Sequence, residues 1–262
     1  MPETPAASAT RDGTIRWLAV GEHDLPADES WLSPVERARL GRMRFTKRRM
    51  DFLVARASAK RALAAWLGRP PAADLEVRHA RTGAPRPYVA GRPLEDVALS
   101  LTDRAGWAVC VLASGVAEVG CDLELVEPRS DAFVRDYFTV AERDAVAVAG
   151  RDAHAVLANL IWSAKESALK VLETGLRRDT RSVEIDLGGA VDPTPGGWRP
   201  LLATTREGEA LPGWWARFGV FLLTVTARGA AAPPAALPGG GDLAAAVPTH
   251  SWLARPRVPA AG

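Results

Sequence analysis

Two short segments hold residue types whose spacing suits chemistry. The first, Val119-Gly120-Cys121-Asp122-Leu123-Glu124-Leu125, has the alternation of a strand. Side chains on a strand leave by alternate faces, so Asp122 and Glu124 point one way and Cys121, Leu123 and Leu125 the other. Two neighbouring carboxylates repel unless a cation or a proton sits between them. The second segment is Ile161-Trp162-Ser163-Ala164-Lys165-Glu166-Ser167-Ala168-Leu169-Lys170. On a helix, Trp162, Glu166 and Lys170 stack on one face because they are four residues apart. Taken singly, each segment has an ordinary reading, a solvent-facing acid pair and a surface ion pair. Together they supply three carboxylates (Asp122, Glu124, Glu166) and two lysines (Lys165, Lys170). Mg²⁺ prefers hard oxygen ligands and usually combines carboxylates with substrate phosphates, and lysines beside it suit a polyphosphate. The combination points to phosphoryl chemistry without naming the reaction.

Those residues need elements to position them. Thr14–Val20 reads as a strand, and Ser33-Pro34 opens a helix with Ser as N-cap and Pro at the first helical position. The apolar stripe of Phe52, Leu53, Leu63, Trp66 and Leu67 predicts a second helix over about Lys47–Leu67, stopped by Gly68-Arg69-Pro70-Pro71. Short strands are predicted near Asp74–Arg78, Val97–Leu101 and Trp107–Ala113. After Ser114-Gly115 the order restarts: a strand over Val116–Val126, helical stretches near 131–137, 140–149 and 152–173, then strands near 181–187, 200–205, 214–217 and 220–227. Strand, helices, strands therefore occurs twice. This predicts an α+β fold of two similar lobes related by a pseudo-twofold, 14–115 and 116–228, with a site in the cleft between them.

Composition is compatible with this. The chain has 262 residues, 47% apolar and 24% charged, and a net charge of +2, ordinary values for a soluble domain. The charge is unevenly spread. Glu36–Arg61 carries ten Lys/Arg against two acids, while Glu118–Glu127 has four acids and no base. Such a chain can hold a polyanion in one place and a metal in another. Cys110 and Cys121 lie in apolar, strand-like runs and read as buried free thiols of a reducing compartment. Residues 1–13 lack an apolar leader core and no apolar run spans a bilayer, so a cytoplasmic protein without membrane contact is expected. Residues 229–262 are rich in Ala, Pro and Gly and read as a low-complexity tail, with enough Ala, Leu and Val to dock.

Gly120-Cys121-Asp122-Leu123-Glu124, followed some forty residues later by Trp162-Ser163-Ala164-Lys165-Glu166-Ser167-Ala168-Leu169-Lys170, resembles the paired signature of the 4′-phosphopantetheinyl transferase superfamily. Phe138-Thr139-Val140-Ala141-Glu142-Arg143 resembles its connecting segment, and Thr174-Gly175-Leu176 the glycine-bearing stretch after its lysine. Upstream, Arg44-Phe45 with the basic helix, and Gly83-Ala84-Pro85-Arg86-Pro87, resemble parts of its N-terminal lobe. Length and the doubled pattern resemble the monomeric, surfactin-synthetase-activating class. One segment departs. Where the family carries S-x-S-H-(S/T), this chain has Ser100-Leu101-Thr102-Asp103-Arg104, with Asp103 in place of the histidine that meets the coenzyme A phosphates.

The resemblance implies transfer of the phosphopantetheine arm of coenzyme A to a serine of an acyl or peptidyl carrier protein, in fatty-acid, polyketide or nonribosomal peptide synthases. It implies Asp122, Glu124 and Glu166 on Mg²⁺, Lys165 or Lys170 offsetting phosphate charge, and Glu166 as base. It places Arg48, Arg49, Arg56, Arg86, Ser100, Asp103 and Arg104 around coenzyme A, with Asp103 orienting the Arg104 fork toward a phosphate. Two rival readings accompany it: an impaired relative kept as a binding partner, and a nucleic-acid binder built on the basic helix. The second is disfavoured because Phe45 and Phe52 offer few aromatics for base stacking.

Overall fold

The structure is a computed structural model that describes residues 13–189 and 197–249. Its elements in chain order are β1 (Thr14–Gly21), α1 (Pro34–Gly41), α2 (Thr46–Trp66), β2 (Leu75–His79), β3 (Pro85–Val89), β4 (Arg92–Pro93), β5 (Ala98–Arg104) and β6 (Trp107–Ser114). The second half runs β7 (Val119–Leu125), α3 (Asp131–Tyr137), α4 (Val140–Val148), α5 (Arg151–Val171), β8 (Val183–Asp186), β9 (Arg199–Thr205), β10 (Ala210–Phe218), β11 (Phe221–Ala227) and β12 (Ala235–Ala236). The chain is thus mixed α+β. Most predicted elements fall close to their expected bounds. β3 and β4 were not predicted, because Pro85, Pro87 and Pro93 argue against strand and are accommodated only in a short hairpin. Among the described residues no helix is long and apolar enough to cross a membrane.

Two sheets carry the architecture. One is ordered β12-β1-β6-β5 and the other β7-β11-β10-β9-β8. Alternation gives each strand two buried faces. Leu18 and Val20 of β1 and Cys110 and Leu112 of β6 pack under α2 with Ala59 and Leu63. Their neighbours Ile15, Trp17, Val109 and Val111 face the other way and meet Cys121, Leu123, Leu223 and Val225 of the second sheet. Outside that sheet, Ala164, Ala168 and Leu169 of α5 pack on Leu201, Ala203 and Leu222. The order is helix, sheet, sheet, helix. Cys110 and Cys121 are both buried and free.

The same side-chain device recurs in both halves. Ser33 caps α1 and Glu36 closes the capping box. Glu36 then accepts from Val77 N at 3.2 Å and pairs with Lys60 of α2 at 2.9 Å, while Lys60 donates to the Leu75 carbonyl. Thr139 and Glu142 repeat the box on α4. Glu142 accepts from Ile185 N at 2.9 Å and pairs with Lys165 of α5 at 2.8 Å, while Lys165 donates to the Val183 carbonyl. In each half a buried ion pair ties a short helix, a long helix and the next strand. Breaking one side of such a pair costs about 3–5 kcal/mol, because the other charge is left buried alone.

The sheets are joined edge to edge as well as face to face. β7 ends its sheet, and its outward N–H groups need partners. Ser100 Oγ of β5 accepts from Cys121 N at 2.9 Å, and Thr102 Oγ1 accepts from Leu123 N at 3.1 Å. Residues 229–249, low in complexity by composition, are docked. β12 pairs in parallel with the free edge of β1, Leu243 is buried in the inter-sheet core, and Trp107 Nε1 donates to the Val247 carbonyl at 3.1 Å. Residues 250–262 and 1–12 lie outside the described residues.

Candidate active site

Gly120 allows the site to form. A Cβ there would run into the Ser167 carbonyl oxygen, so only glycine lets α5 lie this close to β7. Ser163 Oγ then donates to the Asp122 carbonyl at 3.2 Å, fixing the backbone of the acidic strand. Asp122 and Glu124 share the strand face that looks at α5, and their neighbours Cys121 and Leu123 are sealed in the inter-sheet core.

Asp122 is buried. Its Oδ1 accepts from Lys170 Nζ at 3.0 Å and from Thr102 Oγ1 at 3.3 Å, and Lys170 also donates to the Cys121 carbonyl at 2.7 Å. Its Oδ2 is buried with no hydrogen-bond partner among the described residues, and the same holds for Glu166 Oε1. Buried carboxylate oxygens without partners are costly. Desolvation, then the charges of Asp122 and Glu124, push the Glu166 carboxyl up to about 7, against the opposing pull of Lys170. Burial opposes the charge on Lys170, but Asp122, Cys121 and Glu166 together outweigh it and the ammonium is held above its ordinary range.

Glu124 sits differently. Its Oε1 accepts from Trp162 Nε1 at 3.1 Å, and its Oε2 faces Arg104 Nε at 3.2 Å and a terminal nitrogen of Arg129 at 3.1 Å. Both oxygens are already engaged. Among the described residues no three carboxylate, imidazole or thiolate side chains stand close enough together to hold a metal ion by themselves. The two partnerless oxygens of Asp122 and Glu166 are hard donors that fit a divalent cation completed by phosphate oxygens and water.

Several predicted positions lie elsewhere. Lys165 is sealed from solvent against Glu142 and the Thr180 carbonyl, 3.0 Å away, on a different helix face from Glu166 and Lys170. Arg49 is buried, donating to the Leu40 carbonyl at 2.7 Å and pairing with Glu29 at 3.4 Å. Arg56 is buried over the Phe52 ring at 4.6 Å and its charge is weakened by desolvation to a pKa of about 10. Arg48 is exposed near the start of α2. Arg104 does not work with Asp103. As neighbours on β5 they leave by opposite faces, and the Arg104 fork turns to Glu124 and Glu127. Asp103 is exposed, and desolvation by its neighbours, then Asp51, raises its carboxyl to about 6.

Beside the carboxylates opens a cleft of about 280 Å³ that includes the β2–β3 turn, Leu99–Leu101, Glu118, Lys170 and Glu173. Arg86 lines it and pairs across it with Glu118 at 3.3 Å and with Glu173. Ser100 also lines it, with its hydroxyl committed to Cys121 N. From the second half, Arg177 donates to the Thr82 carbonyl at 3.3 Å. Sequence reasoning missed Arg129, Glu118, Glu173 and Arg177. Arg129 bonds Asn159 at 2.7 Å and stacks over Phe133 at 4.7 Å, contacts made after a loop whose path the sequence does not set.

The family model of the 4′-phosphopantetheinyl transferase superfamily matches residues 118–207, the stretch from β7 through α5 to the end of β9. No curated protein matches the chain.

Proposed function

We propose that this protein transfers the 4′-phosphopantetheine arm of coenzyme A to a serine of an apo acyl or peptidyl carrier protein, giving holo carrier protein and 3′,5′-ADP. One observation carries the reading: Asp122 and Glu166 each hold a buried, partnerless carboxylate oxygen and act on one another electrostatically, with Lys170 of α5 paired to Asp122 and lining, with Arg86, the adjoining cleft. The superfamily match over 118–207 supports it. On this reading the repeated Glu36–Lys60 and Glu142–Lys165 devices belong to two similar lobes related by a pseudo-twofold, with coenzyme A in the cleft between them. The protein would act as a cytoplasmic monomer of the two-lobed class, of holo-carrier-protein synthase type, serving fatty-acid, polyketide or nonribosomal peptide synthases.

Asp122 and Glu166 would hold Mg²⁺, which when bound supplies neutralising charge for the pyrophosphate. Glu124 supports the pair from behind, oriented by Trp162, Arg104 and Arg129. Arg86 exchanges Glu118 and Glu173 for coenzyme A phosphate oxygens, which its fork binds equally well. The carrier serine Oγ attacks the β-phosphorus in line. The bond from that phosphorus to the bridging oxygen breaks, and 3′,5′-ADP leaves with the electron pair. Lys170 offsets the charge that grows on the phosphate oxygens. Glu166 takes the serine proton.

The test is intact-mass spectrometry of an apo-carrier protein incubated with the enzyme, coenzyme A and Mg²⁺. A gain of about 340 Da, the arm carried by coenzyme A, is expected on one serine. No gain on that carrier with the serine changed to alanine completes the control. No gain on any of several acyl and peptidyl carriers would contradict the proposal.

A further inference from the structure

His79, at the end of β2, has both ring nitrogens engaged. Arg56 approaches Nε2 at 2.8 Å, and Nδ1 lies 2.9 Å from the Gly83 carbonyl. A guanidinium can only donate and a carbonyl can only accept. The partners therefore select one form of the ring: neutral, with the proton on Nδ1 and a lone pair on Nε2. Behind it Arg56 is held on the Phe52 ring, with its Nε 3.5 Å from Glu36 Oε1. Glu36 is itself fixed by Ser33, Val77 and Lys60. A chain of polar contacts thus runs from the α1 cap through α2 and His79 to one carbonyl of the β2–β3 turn.

That carbonyl matters because of where the turn lies. Gly83 has φ +95°, Gly83 N donates to the Ala80 carbonyl at 3.0 Å and Ala80 N to the Ala84 carbonyl at 2.9 Å. The turn then delivers Pro85 and Arg86 to the cleft that Lys170 lines from the other half. His79 lines the same cleft. Nothing in the proposed reaction uses His79 directly.

We propose that His79 is a positioning residue for coenzyme A: its neutral imidazole, clamped between Arg56 and Gly83, sets the turn that presents Arg86 to the substrate. This deepens the function proposed above and rests on it. A protonated ring has no lone pair for Arg56 and would set two cations against one another. The charged groups that act on the ring are Arg56 from α2 and Arg39 from α1, with Glu36 behind Arg56, while Arg86, Glu118, Lys170, Glu173 and Arg177 line the same cleft. Desolvation, then Arg56 and Arg39, hold its pKa below the ordinary 6.5, against the Gly83 carbonyl. The clamp is intact above that value and weakens as pH falls through the lowered one.

The experiment uses the full-length enzyme and three forms: wild type, His79→Ala and His79→Gln. Calorimetric binding of coenzyme A, KM, kcat and thermal unfolding are measured for each. His79→Ala should weaken coenzyme A binding and raise its KM about tenfold, with kcat reduced by less than about threefold. His79→Gln keeps an acceptor for Arg56 and a donor for Gly83, and should recover most of the loss. Wild-type KM for coenzyme A should rise as pH falls below the histidine range, and the Gln form should be flat there. Unchanged coenzyme A binding in both variants, or the same acid limb in His79→Gln, overturns the inference. If His79→Ala fails to fold, the pH profiles of wild type and His79→Gln decide alone. Absence of arm transfer by the wild type is a different outcome, and it removes the underlying function instead.

Discussion

Lys165 Nζ lies 2.8 Å from Glu142 Oε2, with both side chains sealed from solvent. The lysine of the Trp-Ser-Ala-Lys-Glu run is thereby committed to the fold, whereas Glu166, one residue on, keeps a buried carboxylate oxygen without a partner among the described residues. Desolvation works against the ammonium, which is held below its ordinary value despite Glu142. Lys165→Met should cost about 3–5 kcal/mol, since Glu142 would be left buried alone. Lys165→Met with Glu142→Gln should recover part of that. Thermal unfolding of both forms, with kcat per folded molecule, checks this; a large fall in kcat at unchanged melting temperature would return Lys165 to the reaction.

Much of this arrangement was legible in the sequence because it rests on periodicity. The strand alternation of 119–125 put Asp122 and Glu124 on one face, and fourfold spacing put Trp162, Glu166 and Lys170 on another. What the sequence did not show is which charges pair. Lys60 and Lys165 occupy equivalent places on two helices, yet nothing local distinguishes a sealed lysine from a cleft lysine such as Lys170. In the sequence Arg104 reads as free for a phosphate, because its partners Glu124 and Glu127 meet it only through the tertiary fold. The docked 229–249 segment was hidden for a similar reason. Its partner is the edge of β1, more than two hundred residues away.

Gly120 makes a prediction about spacing. Gly120→Ala forces α5 off β7, a clash of the overpacking kind that costs about 1–3 kcal/mol. It also moves Lys170 and Glu166 away from Asp122. Activity should fall more steeply than stability. Far-ultraviolet melting curves and Mg²⁺-dependent rates measured on the same preparation check it.

Glu166 predicts a pH dependence in the metal-free protein. Its folded pKa of about 7 stands above the ordinary 4.5. The folded state thus binds this proton more tightly, and the contribution to stability is full below 4.5 and lost as pH rises through about 7. Glu166→Gln removes the titration. It should melt higher than wild type at about pH 8 and close to it at about pH 4. Equal melting temperatures at both values would show that Glu166 is not desolvated.

Arg104 tests which group answers to the metal. Arg104→Ala removes one of two guanidiniums from Glu124, leaving the carboxylate cluster more negative. Half-saturating Mg²⁺ should fall by about threefold or more, while KM for coenzyme A changes less than about twofold. Rates across a Mg²⁺ titration at fixed coenzyme A separate the two. A large rise in KM for coenzyme A would instead put Arg104 on the substrate.

If the Asp122–Glu166 pair carries arm transfer, time courses of intact carrier mass show it. Wild type, Asp122→Asn and Glu166→Gln are compared with one apo-carrier, coenzyme A and Mg²⁺, with a chelator control. Both substitutions are close in size and keep one oxygen acceptor, but Asp122→Asn also removes the charge that Lys170 pairs with, so thermal unfolding is measured beside the rate for each variant. Full conversion by the wild type is expected, none with chelator, and a rate at least about a hundredfold lower in each variant. Conversion by either variant at the wild-type rate would contradict it.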